Sequence, residues 1–474
     1  MKLAHRYLAL LFTWIVVLSI LYATLSIVRH NHFQSGGFDL GLYDQTVWQY
    51  SRFLWPYNTV KERFILGDHF TLTLPLLAPL FWIWGDTRML LIFQAVWISA
   101  ATYAIYQLCL HRKFSRLTAR CISIIYSLFY GIQAAVFFDF HPVVIAVGLI
   151  AWLVLFLETN RKKLFWANLI FLLLTQENMG IAIISLAAIY VWKKEHRNMA
   201  ITFIFIGIAW SFVTSKIIAS FSPIGFRYLP QIPTNPVTIV KSFFNSEEKQ
   251  QAWLYSFSWF SFLPLLSPGA VLAVVIDLAQ YFVTGPEFSR MWSPLMHHRA
   301  ILAPFLTLGT LDALAFMKKR NINPQAVAVG ALIITLGVQY YFHFPLNKLA
   351  KRSFWQTEPW MENTRQLLKE VPQDASVATQ QNLIPHLSHR KEIYIIWPRE
   401  HDFDDKRCGQ RSCWWLDFNN RAQYLVLDLH PNQWVTQLLE TNEHVEAAVK
   451  NMEQFGKIAL VKSVGDAKFY KITE

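Results

Sequence analysis

Charge is scarce in this sequence. Asp, Glu, Lys and Arg make up 16% of 474 residues and hydrophobic residues 54%, against about 25% and about 45–50% in soluble domains. A single soluble domain is excluded. Four cysteines, without paired zinc-ligand spacing, exclude a disulfide scaffold and a zinc module. There is no G-x-G-x-x-G and no P-loop, so nothing indicates a dinucleotide or nucleotide site. Internal repeats and low-complexity tracts are also missing. The apolar run from Tyr7 to Val28 is longer than a signal-peptide core and lacks a small-residue cleavage site, so it reads as a retained first span. What is abundant is aromatic: 16% Phe, Trp and Tyr, too much for a disordered chain. Together these properties describe a multispanning membrane protein. Its 43 basic against 31 acidic residues give a charge of +12. Short cytoplasmic loops carry such an excess, and no nucleic acid partner is needed to explain it.

Windows of apolar residues place spans near 7–28, 89–110, 121–137, 143–157, 164–175, 180–192, 199–220, 300–317 and 325–343, with a hairpin broken at Ser267 and Pro268. About eleven spans result. Lys2 and Arg6 hold the N-terminus in the cytoplasm, and the basic loops 111–120, 161–163, 193–197 and 318–320 then all fall inside. This requires that residues 71–84, apolar but short and carrying two prolines, form an interfacial or re-entrant segment. From Pro345 onward the pattern changes. Helical periodicity at 360–371 and 434–455 alternates with strand-like runs at 374–380, 391–397 and 423–429, before a hairpin at 457–472. The expected fold is therefore a polytopic α-helical membrane domain, residues 1–344, with an external loop at 29–70. A soluble extracytoplasmic α/β domain follows at 345–474. Cys408 and Cys413 lie in that domain, on the oxidising side, either paired or free.

On this topology the acids and histidines collect at one membrane face. Asp39 and Asp44 occupy a glycine-containing loop with Gly36, Gly37 and Gly41, whose freedom would let the backbone approach a ligand. Asp68 and His69 follow. Short turns between apolar helices carry Asp139 with His141, and Glu177 with Asn178, where a plain connector would use Gly, Asn or Ser. His297, His298 and Arg299 precede the penultimate span as a candidate phosphate clamp. Such a face suits general base catalysis on a hydroxyl, divalent metal binding, or proton-coupled transport. Each residue also has a bland reading, as a solvated loop, a helix cap or an interfacial anchor.

The segments FDLGLYDQ (38–45), GDHF (67–70), APL (78–80), FHP (140–142), QEN (176–178) and HHRAILAP (297–304) resemble a bacterial family of predicted membrane proteins of unknown function. The layout in turn resembles the GT-C superfamily of membrane glycosyltransferases. An acidic residue follows the first span, here Asp39, and interfacial helices end at a Gly-Asp turn, here Gly85 and Asp86. The resemblance implies sugar transfer from a polyprenyl-phosphate donor to an extracytoplasmic acceptor at the bacterial inner membrane. Asp39 would act as general base and Asp44 as its catalytic partner. Asp68, His69, His141, Glu177, Asn178, His297, His298 and Arg299 would bind substrate. A divalent cation, Mg or Mn, would be held by Asp39 and Asp68. Members space the acidic pair more closely than Asp39 and Asp44. A transporter or flippase would instead place ionisable groups at mid-helix, where Asp277 is the main example here. A scaffold would need only one or two spans as an anchor.

Overall fold

The structure, a computed structural model, describes residues 2–226, 233–402, 408, 412–431 and 441–473. Two compact units emerge. One comprises Met1–Ser26, Leu66–Thr73 and Leu91–Lys351; the other comprises Ile27–Ile65, Leu74–Leu90 and Arg352–Glu474.

The first unit is helical. Among the described residues five helices are long and apolar enough to cross a membrane: Leu8–Asn31, Arg88–His111, Lys194–Phe221, His297–Lys319 and Pro324–Tyr341. Arg116–Ser127 and Tyr130–Phe138, bent by 41° at their junction, make a sixth if counted as one. The expected count of about eleven is therefore not reached by helix length. Helices do occupy the remaining places, but Pro142–Glu158, Met179–Tyr190 and Pro268–Phe282 are shorter, as is Lys162–Leu173. At 1.5 Å per residue they extend only about 18–26 Å, less than a hydrocarbon core of about 30 Å. The break at Ser267 is present: a 3-10 turn, Leu263–Leu266, gives way to a helix with Pro268 in its first turn.

Helix ends in this unit are tied by charge. Arg112 donates from Nε and Nη2 to Glu158 (2.9 and 2.5 Å) and from Nη1 to Asp312 (2.9 Å). Tyr190 donates to Glu158, and Lys193 and Ser267 donate to Asp312 (2.9 and 3.3 Å). The C-terminal ends of Arg88–His111, Pro142–Glu158 and Met179–Tyr190 are thereby gathered together. His141, Glu177 and Asn178 adjoin the N-terminal ends of the latter two helices, about 18–26 Å away along the helix axes.

In the second unit, short antiparallel strands β1 (Tyr57–Asn58) and β2 (Arg63–Phe64) precede a five-stranded sheet. The sheet contains β3 (Val377–Thr379), β4 (Ile393–Ile395), β7 (Tyr424–Asp428), β8 (Ile458–Val464) and β9 (Ala467–Ile472), in the order β4-β3-β7-β9-β8. β3 lies parallel to β4 and β7, whereas β9 runs antiparallel to β7 and β8. Side chains alternate between two cores, as strand periodicity requires. Val377, Ile393, Ile395, Val426 and Phe469 pack with Phe33, Val60 and Ile384; Ala378, Tyr394, Leu425, Leu427 and Tyr470 pack with Val445 and Val449 of helix Asn442–Gln454. The rest of the helix read at 434–455 lies largely outside the described residues. Phe33 and Val60 come from a segment that the sequence assigned to the membrane part. Thr59 finishes the β4 edge by donating to and accepting from the Ile393 backbone (2.7 and 2.9 Å). A separate hairpin joins β5 (Trp397–His401) to β6 (Cys413–Asp417). Cys408 and Cys413 are disulfide-bonded, with Cα atoms 5.4 Å apart.

Candidate active site

Asp39 sits on one π-helical turn, Gly37–Gly41, that runs directly into the helix Leu42–Ser51. A π turn is uncommon and is frequent at functional sites. The side chain is half-buried. The neighbouring glycines serve packing rather than ligand approach. A Cβ on Gly37 or Gly41 would stand 2.6 Å from the Ile384 side chain, so Ile384 fills the space that the sequence reading reserved for a ligand.

Asp44 is wholly buried. Its Oδ2 accepts from Thr87 Oγ1 (3.0 Å) and Ser388 Oγ (2.5 Å), with His389 Nε2 3.0 Å away. These contacts hold the carboxylate in one orientation. The two aspartates thus differ: one is half-exposed on a distorted turn, the other is locked. Burial alone would lower the His389 pKa, but the Asp44 carboxylate outweighs it and holds the imidazole above its ordinary value. Stabilisation from this pair is therefore full below about pH 6.5, the ordinary histidine value, and is lost as pH rises through the elevated one. In thermal unfolding of the full chain in detergent, the advantage of the native protein over His389→Gln should be largest at mildly acidic pH and shrink with alkalinity. A pH-independent difference would contradict the pairing.

Asp86 accepts from the Arg88 backbone N–H (2.9 Å), capping the helix Arg88–His111, and also binds the Arg88 guanidinium (2.7 and 2.5 Å). Burial would raise its carboxyl, yet these bonds hold it below the usual range.

The first unit assembles the remaining candidates. His69 Nδ1 lies 2.8 Å from Glu177 Oε1, while the Phe70 N–H donates to Oε2 (3.1 Å) and Asp68 stands 3.8 Å from His69 Nε2. The Leu72 N–H donates to Leu174 (2.9 Å), fixing 68–72 along the turn that carries Glu177. Asn178 donates to Tyr281 (3.3 Å), whose ring is 5.2 Å from that of His298. His141 and His297 stack at 3.7 Å, with Phe138 against both. Asp139, fully buried, caps the end of Tyr130–Phe138.

Arg299 is also fully buried. One Nη donates to the Met291 carbonyl (2.5 Å), and the guanidinium lies 5.0 Å from the Tyr281 and Phe282 rings. Its Nε and Nη1, like Nδ1 of His297 and His298, find no hydrogen-bond partner among the described residues. Buried donors without partners are costly, which sets these atoms apart from the satisfied groups around them. Gly131 makes the packing possible, since a Cβ there would stand 2.7 Å from the Arg299 carbonyl. Gly131→Ala is expected to lower stability by about 1–3 kcal/mol, read by thermal unfolding in detergent; an unchanged midpoint would contradict this packing.

Sequence reasoning missed Thr87, Ser388 and His389 around Asp44, and Tyr281 beside His298. The segment LSHR (387–390) signalled the first group, and the four-residue spacing of Asp277 and Tyr281 on one helix signalled the last. No group of three or more His, Cys, Asp or Glu side chains among the described residues could hold a metal ion. Asp39 and Asp68 belong to different units.

Two crystal structures of ArnT from Cupriavidus metallidurans, one bound to undecaprenyl phosphate and one in the apo state, share the fold. Each matches with a TM-score of 0.53 and 10% identity over 98% of both chains. The apolar helices and this likeness describe an integral membrane protein with the fold of those ArnT structures. Residues 29–454 match the family described as predicted membrane protein (DUF2079), and the chain belongs to it. No curated protein matches the sequence.

Proposed function

We propose that the protein is a glycosyltransferase of the bacterial inner membrane, moving a sugar from a polyprenyl-phosphate donor to an extracytoplasmic acceptor. The observation that carries this reading is buried Arg299, with two unpartnered donor positions beside stacked imidazoles. A phosphate oxygen satisfies such donors in a charge-assisted way, and the GT-C fold supplies the class of chemistry by analogy. In the reaction, the acceptor hydroxyl oxygen bonds to the anomeric carbon while its proton passes to a carboxylate base, the role that the GT-C resemblance gives to Asp39. The bond from that carbon to the donor phosphate breaks, and its electron pair leaves with the phosphate. Arg299, His297 and His298 offset the charge that develops there. Asp44 positions the turn bearing Asp39. His69, held by Glu177, joins Asp68, His141 and Asn178 in orienting the sugar.

The Cys408–Cys413 bond supports an oxidising, extracytoplasmic side for the second unit. The test is saturable binding of undecaprenyl phosphate by the full chain in detergent, displaced by a polyprenyl-phosphate sugar. Failure of every polyprenyl phosphate to bind would overturn the reading.

A further inference from the structure

A cavity of about 570 Å³ opens within the second unit, and Thr87, Ser388 and His389, the partners of Asp44, form part of its wall. Its walls come from the end of the first long helix (His30), the turn before Arg88, the helix Pro359–Leu368 (Arg365), the short helix Ile384–Leu387 (His386) and the segment that follows it (His389, Arg390). Three guanidinium groups and three imidazoles therefore meet one carboxylate, Asp86, among the described lining residues.

That carboxylate is already committed to Arg88 through two side-chain bonds. The other two arginines are anchored largely by neutral acceptors. Arg390 donates from Nε to the Leu387 carbonyl (2.7 Å) and from Nη1 to those of Pro372 and Ala375 (3.2 and 2.9 Å). Arg365 donates to the Asn31 carbonyl (2.8 Å), and its bond to Glu362 (2.9 Å) involves a carboxylate that is 69% exposed. Carbonyls fix a guanidinium's direction without cancelling its charge. With His30 and His386 neutral and His389 paired with Asp44 behind the wall, three arginines less one aspartate leave a lining charge of +2, focused in a concavity that attracts anions.

A second observation points into the same space. His386 stacks on His30 with ring centroids 4.1 Å apart, and its Nε2, buried, has no hydrogen-bond partner among the described residues. Burial holds the His386 pKa well below its ordinary value, with His30 and Arg365 adding to the effect, so this ring is neutral and offers one donor or one acceptor. The cavity exceeds what a bare anion fills, and Leu368, Val371 and Leu387 add apolar wall. Its size falls in the usual range for small-molecule sites, about 300–1,000 Å³.

We infer that this cavity binds a phosphomonoester of roughly sugar size, its dianion set between Arg365 and Arg390 and its body against His30 and His386. The charge matches, the fork of a guanidinium suits phosphate oxygens, and the unpartnered imidazole provides a polar contact for the remainder. The phosphate can belong to a soluble sugar phosphate or to a lipid headgroup.

The experiment measures binding to the purified full chain. Inorganic phosphate and glucose 6-phosphate are titrated in detergent, and nanodiscs of phosphatidylcholine with and without phosphatidic acid test the lipid source. Arg365→Gln is the principal variant, because Arg365 is partly exposed and its loss leaves the carbonyl-anchored Arg390 in place. His386→Gln is the second variant, and Lys462→Gln, on the opposite edge strand, is the surface control. Saturable binding of the soluble phosphates that weakens about tenfold or more in Arg365→Gln, but not in Lys462→Gln, supports the site and assigns a soluble ligand. The same pattern confined to phosphatidic acid supports it and assigns a headgroup. No saturable binding of any probe overturns it, as does phosphate binding that Arg299→Gln abolishes and Arg365→Gln leaves intact.

Discussion

Asp39→Asn is expected to reduce sugar transfer by about 10²–10⁴-fold, the usual contribution of a positioned general base, in protein that folds and inserts as before. The substitution keeps the size of the side chain and removes its ability to take a proton. Asp39 is half-buried on its π turn, and what shapes that turn is the Ile384 contact with Gly37 and Gly41. Asp44→Asn should behave differently. Its Oδ2 holds Thr87 and Ser388 beside His389, so that variant should lose stability and the pH dependence of the pair along with activity. Parallel measurement of turnover and thermal unfolding separates the two cases. Transfer preserved in Asp39→Asn would remove Asp39 from the role of base.

Arg299→Gln is expected to weaken polyprenyl-phosphate binding and to slow transfer by about 10²–10³-fold, the range for deleting one donor aimed at developing charge. The residue is fully buried, with Nε and Nη1 unpartnered among the described residues, and a bound phosphate would satisfy what the protein leaves open. Arg299→Lys keeps the charge but not the fork, and should retain folding while binding the lipid less tightly. Equal affinity in native, Gln and Lys forms, measured on folded protein, would show that phosphate goes elsewhere.

Much of the helical layout was legible because apolar runs are long and their ends are marked. Pro142, Ser267 with Pro268, and the basic residues after His111 and Tyr190 all lie at breaks that the structure shows. Span length was not legible: a run such as 164–175 satisfies hydropathy, yet its helix, Lys162–Leu173, has only 12 residues. Strands β3, β7, β8 and β9 were readable from their alternation and β-branched content. What composition could not reveal was that Phe33 and Val60, more than 300 positions before β3, share a core with it, because a long-range contact leaves no local periodicity. The same limit applies to Asp44. Its charge and position were visible, but its partners Thr87, Ser388 and His389 come from distant segments. Conversely, QEN and GDHF were singled out separately, and the 2.8 Å contact between His69 and Glu177 joins them.

The most direct test of glycosyl transfer is to incubate the purified full-length protein with a panel of synthetic polyprenyl-phosphate sugars and measure release of free polyprenyl phosphate, native protein beside Asp39→Asn. Release from at least one donor by the native protein, abolished in the variant, is the predicted result. Donor binding without release by either protein, or equal release by both, would contradict it.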